Sequence, residues 1–255
     1  MTPPLDLPQI RRETFCATVE YHPVLTSTND RARELAADGC PLPLLVVAAQ
    51  QTAGRGRGGN RWWTGPGGLA FSLLLPPQPE RPSPLISLAA AVAVVQTLAP
   101  LAPQAAMGIH WPNDVYVAGR KLSGILVEVL GDGRPIVGIG VNVNNSSADA
   151  PEELRPRVAT LRDLTARTHD LTAILIDLVQ HLAGSFQQLS TDARRITARA
   201  DELCLRRGEL LRAEAAGGPV SGRCLGIAAD GALRLETAEG ERAIYSGVVR
   251  STCSG

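Results

Sequence analysis

The chain has 255 residues, enough for one large domain or one medium domain plus a small one, which excludes the small scaffolds that depend on disulfide or metal staples. Hydrophobic residues make up 44% and charged residues 20%, the balance of an ordinary globular protein and neither a disordered nor a collagen-like chain. With 25 basic and 25 acidic residues the formal charge is zero, so general attraction to nucleic acid or to an anionic membrane is not expected.

Residues 1–14 carry three prolines and little periodicity and are expected to be a loose lead-in. The N-terminus lacks the basic stretch and apolar core of a secretory signal, so a cytoplasmic location is expected. Phe15 to Val19 has strand character. Ser27-Thr28-Asn29-Asp30 then places capping residues ahead of a short helix ending at Gly39. Leu44 to Gln50 is a continuous apolar run of strand length. Thr52 to Gly68 holds seven glycines among arginines and tryptophans and is expected to be a mobile loop. Leu69 to Leu75 is a strand candidate, and Pro76 to Pro84 is a connector. The apolar run from Leu85 to Ala99 falls short of the ~20 residues needed to span a bilayer, so it is expected to be a buried helix.

Four strand candidates follow, Ile109 to Trp111, Val115 to Val117, Lys121 to Leu130 and Pro135 to Asn144, with a tight hairpin turn at Gly131-Asp132-Gly133. Leu161 to Leu164, Thr172 to Leu189 and Thr191 to Leu205 have helical character, the second with Leu175, Leu178, Leu182 and Phe186 at helical spacing. From Gly208 the texture changes to short runs split by glycine, Glu209 to Ala213, Val220 to Ile227, Ala232 to Thr237 and Arg242 to Ser246. The pattern predicts an α+β domain over 1–207, and a small barrel over 208–255.

Five cysteines, Cys16, Cys40, Cys204, Cys224 and Cys253, form no CxxC pair and support neither a disulfide framework nor zinc. The four histidines, His22, His110, His169 and His181, show no ligand spacing either. Among the 25 basic residues only Lys121 is a lysine, and a site that needs a compact ammonium tolerates arginine poorly. The run Gln51-Thr52-Ala53-Gly54-Arg55-Gly56-Arg57-Gly58-Gly59 can bring backbone amides and two guanidinium groups to an anion. It lacks the ending of a Walker motif and the following helix of a dinucleotide fingerprint.

The segment Trp111-Pro112-Asn113-Asp114, then Arg120-Lys121-Leu122-Ser123-Gly124-Ile125-Leu126, then Gly140-Val141-Asn142, follows that loop in order. Together with Ser27-Thr28-Asn29 and the arginine–glycine loop, it resembles the biotin protein ligases, which join biotin to a lysine of biotin-dependent carboxylases. The resemblance implies a mixed β-sheet backed by helices with an SH3-like C-terminal barrel. It implies ATP and biotin as substrates, Mg²⁺, a biotin carboxyl carrier domain as partner, and allows a homodimer. Ser27, Thr28, Asn29, Gln51 and Gly124 would line the biotin site, with Arg55, Gly56 and Arg57 closing over the carboxylate and phosphates. Lys121, with Arg55 and Arg57, would be catalytic; Asp114 would hold magnesium or orient that lysine; Trp62 and Asn142 would contact the nucleotide. Asn60 stands where family loops carry a third arginine, which puts the anchoring of the loop in question. A winged-helix DNA-binding domain does not fit before Phe15, so no nucleic-acid partner is expected. The same superfamily contains lipoate ligases, and a biotin-binding module without transfer activity is the non-enzymatic alternative.

Overall fold

The computed structural model describes residues 5–77, 83–215 and 218–252. Cys253 and part of the proline-rich connector lie outside them.

Within the described part of the lead-in, residues 5–14, the chain forms a capped helix. Asp6 accepts a hydrogen bond from the amide of Gln9 and caps a helix, α1 (Leu7–Glu13), with proline in its first turn and Ile10 fully buried. β1 (Thr18–Leu25) starts later and runs further than expected. It pairs in parallel with β2 (Leu44–Gln51) from Thr18↔Leu44 to Leu25↔Gln51, and as an edge strand it accommodates Pro23. Between them, α2 (Thr28–Ala37) is capped by Ser27, whose hydroxyl accepts from the amide of Asp30.

The main sheet adds β3 (Leu69–Leu74), β4 (Met107–His110), β5 (Asp114–Val117), β6 (Arg120–Val129) and β7 (Pro135–Val141), in the order β1-β2-β3-β7-β6-β5-β4. One face packs on α3 (Ser83–Leu98), α5 (Leu171–Thr191) and α6 (Ala193–Glu202), with a short α4 (Leu161–Thr165) beside the end of β7. α3 is the buried apolar helix, with Leu88 to Ala91 excluded from solvent. α6 stops before Leu205 because Leu203 and Leu205 exchange backbone hydrogen bonds with Ile109 and extend the β4 edge.

On the other face the helix among the described residues is α2, which seals a small apolar cluster of Ala32, Leu35, Leu44, Val46, Leu74 and Ile136. Beyond Ile136 the same face of β7 presents Gly138 and Gly140, and β6 presents Gly124. Large side chains there would fill the space, so the glycines leave a hollow.

The C-terminal region forms five antiparallel strands, β8 (Leu210–Ala215), β9 (Gly218–Ile227), β10 (Leu233–Thr237), β11 (Gly240–Ile244) and β12 (Val248–Ser251), in the order β11-β10-β9-β8-β12. β12 was not foreseen. Its core is not separate, because Leu211, Cys224, Leu233 and Leu235 belong to the same buried cluster as α3 and the main sheet. Trp111 Nε1 donates across the junction to Gly231 O at 2.9 Å.

Candidate functional site

The hollow over Gly124, Gly138 and Gly140 is a cavity of about 360 Å³. Its floor is β6 and β7, its inner end is the N-terminus of α2, its lid is the glycine-rich loop, and its far rim is β12.

Ser27, Thr28, Asn29 and Gln51 meet at the inner end, buried or nearly so. Gln51 Oε1 accepts from the Thr28 amide at 2.8 Å and from its hydroxyl at 3.2 Å. Ser72 Oγ, buried behind them, lies 2.7 Å from Thr28 Oγ1 and 2.6 Å from Asn29 Oδ1. The capping role of Ser27 and its place on the cavity are compatible, since one hydroxyl both receives the Asp30 amide and faces the hollow.

The loop from Thr52 to Gly68 has more order than its composition suggests. Arg55 and Arg61 form an antiparallel bridge, Gly56 N donates to Asn60 O at 2.7 Å, and a 3-10 turn spans Arg57–Gly59. Asn60 closes that turn, its side chain donating to Arg57 O at 2.8 Å, while Arg61 reaches Thr52 O. The position without the third arginine is therefore anchored by Asn60 itself. Trp62 lies flat across the glycine floor. A Cβ on Gly140 would stand 2.2 Å from Trp62 Cε2, so only glycine admits the indole there. Gly140→Ala is expected to unseat Trp62 and weaken nucleotide binding about tenfold while the sheet stays folded, a loss equivalent to one aromatic contact. Nucleotide titration followed by Trp fluorescence reads it, and unchanged affinity would remove Trp62 from the site.

The two loop arginines differ. Arg55 is occupied: Nη1 and Nη2 donate to both oxygens of Glu128 at 3.0 and 2.7 Å, and Nη2 also meets Asp30 at 2.7 Å. The hydrogen bonds it donates to Glu128 hold its charge firmly, raising its pKa. It does not stand free to grip an anion, contrary to expectation. Arg57 faces the cavity with no carboxylate partner among the described residues; its bond is to the backbone, Gly247 O on the approach to β12, at 3.3 Å. Burial lowers its pKa, with Asp114 pulling the other way. An anionic ligand would relieve that unfavourable burial.

Lys121 projects from β6 beside a register shift opposite β5, its Nζ 2.7 Å from Asp114 Oδ1 and 5.7 Å from the centre of the Trp62 ring. A Cβ on Gly124 would touch Lys121 Nζ at 3.0 Å, so Gly124 gives the ammonium its space. Asn142 is not brought to the cavity. Buried behind Lys121, it donates to Lys121 O at 3.4 Å and accepts from Asn145 at 2.9 Å, bracing the strand that carries the lysine. Among the described residues no group of three His, Cys, Asp or Glu side chains stands together to hold a metal.

Four contributors were not foreseen: the His110–Tyr116 stack, Arg206, Glu128 and the β12 rim. His110 and Tyr116 lie 3.7 Å apart and nearly parallel, at 8°. Burial, reinforced by Arg206, lowers the His110 pKa from 6.5 to about 4, while Glu209 opposes and Lys121 adds a minor push in the same direction. A histidine with a depressed pKa adds stability that is full above its unfolded value of 6.5 and is lost as the pH falls towards about 4. The melting temperature is therefore expected to fall across that window, and less so in His110→Phe. Parallel curves for the two proteins would contradict this.

A family profile described as the biotin/lipoate A/B protein ligase family matches residues 21–144, and the biotin protein ligase C terminal domain matches 211–249. The bifunctional ligase/repressor BirA of Bacillus subtilis is 37% identical over 248 residues, which cover 93% of this chain and 75% of that protein. The chain belongs to the biotin protein ligase family. Another member, the biotin–(acetyl-CoA-carboxylase) ligase of Mycobacterium tuberculosis, is 35% identical over 175 residues, 64% of each chain. The solved biotin protein ligase of Aquifex aeolicus in complex with biotin and ATP superposes with a TM-score of 0.84 at 28% identity, over 92% of this chain and all of that one. The expected mixed sheet backed by helices is thus the biotin protein ligase fold, and where a small SH3-like barrel was expected the C-terminal strands form a five-stranded antiparallel sheet.

Proposed function

We propose that this protein activates biotin with ATP as biotinyl-5′-AMP and then transfers the biotinyl group to a lysine of the biotin carboxyl carrier domain of a biotin-dependent carboxylase in the cytoplasm. The observation that carries the reading is the placement of Lys121 and of Arg57, whose guanidinium has no carboxylate partner among the described residues, on the same cavity as the polar end formed by Ser27, Thr28 and Gln51. Short polar side chains beside a floor of glycine suit a ureido ring, which offers two N–H donors and one carbonyl. In the first half-reaction the biotin carboxylate attacks the α-phosphorus and pyrophosphate leaves. Lys121 and Arg57 lie where the growing negative charge is met by fixed positive groups. In the second, the acceptor amine attacks the acyl carbonyl and AMP leaves.

Residues 1–207 hold all of the polar end and both cations, and 208–255 supply the far rim. Mg²⁺ would arrive on the nucleotide phosphates, since among the described residues Asp114 is the carboxylate paired with Lys121 and Mg²⁺ needs only one or two beside phosphate oxygens. Asp114 otherwise orients the ammonium. ATP–pyrophosphate exchange with biotin and with lipoate, followed by transfer to a carrier domain, tests the whole reading. Exchange with lipoate and not biotin, or adenylate formation without transfer, would replace it.

A further inference from the structure

At the outer part of β6 the carboxylate of Glu128 gathers donors from two elements, α2 and the glycine-rich loop. Oε1 accepts from Arg55 Nη1 and from Arg33 Nη2, each at 3.0 Å; Oε2 accepts from Arg55 Nη2 and from Asn29 Nδ2, each at 2.7 Å. Burial by itself would raise the pKa of Glu128, but the hydrogen bonds from Arg55 and Asn29 outweigh it and the net direction is down. Asp30 completes the cluster, taking Arg55 at 2.7 Å and Arg33 at 3.1 Å. Two carboxylates and two guanidinium groups balance in charge. One arginine comes from α2 and the other from the loop.

The cluster is wired to the polar end of the cavity. Asn29 gives its amide nitrogen to Glu128 and its oxygen to Ser72, and Ser72 touches Thr28, which is bonded to Gln51. A change in the hydrogen bonding of Thr28 or Gln51 therefore reaches Arg55 through a continuous chain of short polar contacts. The loop needs such a fastening, because fixing each backbone residue opposes about 1–2 kcal/mol of conformational entropy and glycine loses most. The bidentate pairing of a guanidinium with a carboxylate, here through Nη1 and Nη2, supplies both energy and a defined geometry.

We propose that Glu128 and Asp30 are the catch of a latch whose bolt is Arg55, a positioning set that holds the glycine-rich loop shut over the cavity and is set by its polar end through Asn29. It rests on the reading above, in that the retained species is the acyl adenylate. Arg55 is then a residue that keeps the intermediate in, and Arg57 is the one that meets its charge.

Glu128→Gln removes the ion pair but keeps an acceptor for Asn29, so the fold is preserved. In the full chain it is expected to speed dissociation of preformed biotinyl-AMP about tenfold, and to speed amide exchange at residues 55–62 of the ligand-free protein by a similar factor. Arg55→Gln, which also gives up the bond to Asp30, should do at least as much, and the double variant should be no worse than Arg55→Gln alone, because that change already removes the Arg55–Glu128 pair. Adenylate release or loop exchange within twofold of the wild type, or additive effects, would overturn the latch. The exchange comparison uses no ligand, so a protein that fails to make biotinyl-AMP would defeat the functional reading while the latch was still decided.

Discussion

Lys121→Gln is expected to reduce ATP–pyrophosphate exchange with biotin by about 10²–10³-fold, the usual consequence of removing one fixed donor from a developing charge. The glutamine amide can still donate to Asp114, so the pair is not left as a bare buried carboxylate and the melting temperature should stay near that of the wild type. Lys121→Arg keeps the charge and tests the shape. The ammonium fits between Asp114, Gly124 and the indole of Trp62, and a planar fork does not occupy that space in the same way. Turnover should fall more than biotin affinity. Lys121 is also the only side-chain amine in the chain, so an acylating reagent reports on it directly, and bound biotinyl-AMP should protect it. A glutamine variant with near-normal exchange, or a lysine labelled at the same rate with and without ligand, would take Lys121 out of the chemistry and leave Arg57 to carry it.

The polar end of the cavity and the lysine were legible in the sequence because both depend on local patterns: Ser27 caps the helix that follows it, and Lys121 stands alone in an arginine-rich chain. The buried strands β2, β3 and β7 announce themselves as apolar runs. What was not legible depends on distance along the chain. Arg57 meets Gly247 across 190 positions, and Arg55 meets Glu128 across 73, so nothing in the loop shows that one arginine bonds to a carbonyl and the other to carboxylates. Helix α1 escaped because three prolines mask a seven-residue helix whose cap also leans on a tertiary contact, Asp6 N to Thr172 Oγ1 at 3.0 Å. Asn142 was assigned to the nucleotide by resemblance, yet its side chain turns to the backbone of Lys121, a choice that only the packing of β6 on β7 decides. The division at residue 207 follows a real change of texture, but the texture carries no sign that Leu211 and Leu235 share a core with α3.

Ending the chain after Arg207 is therefore expected to do more than slow the enzyme. Along β12 and Thr252 after it, the backbone groups of Val248, Arg250 and Thr252 point to β8, as the bond from Thr252 N to Leu210 O shows, and the alternation turns the carbonyls of Gly247 and Val249 outward to the cavity. Their carbonyls receive Arg57 at 3.3 Å and Arg206 at 3.2 Å, so the edge of the small sheet is closed by two arginines of the larger body. Truncation would strip both guanidinium groups, and Trp111 Nε1, of their acceptors, at about 1–3 kcal/mol for each buried donor left unpaired. It would also expose the apolar side chains with which the small sheet completes the common core. The shortened protein should unfold at a distinctly lower temperature and lose about 10²-fold or more in both half-reactions. A gentler variant separates the two effects. Gly247 has φ +139°, and a Cβ there would stand 2.3 Å from Glu214 O, so Gly247→Ala must move the turn that presents the carbonyl to Arg57. It should lower pyrophosphate exchange about tenfold with a small change in melting temperature, as expected for one charge-assisted hydrogen bond. If the shortened chain melted and exchanged like the full one, β12 would be a neighbour of the cavity and not part of it.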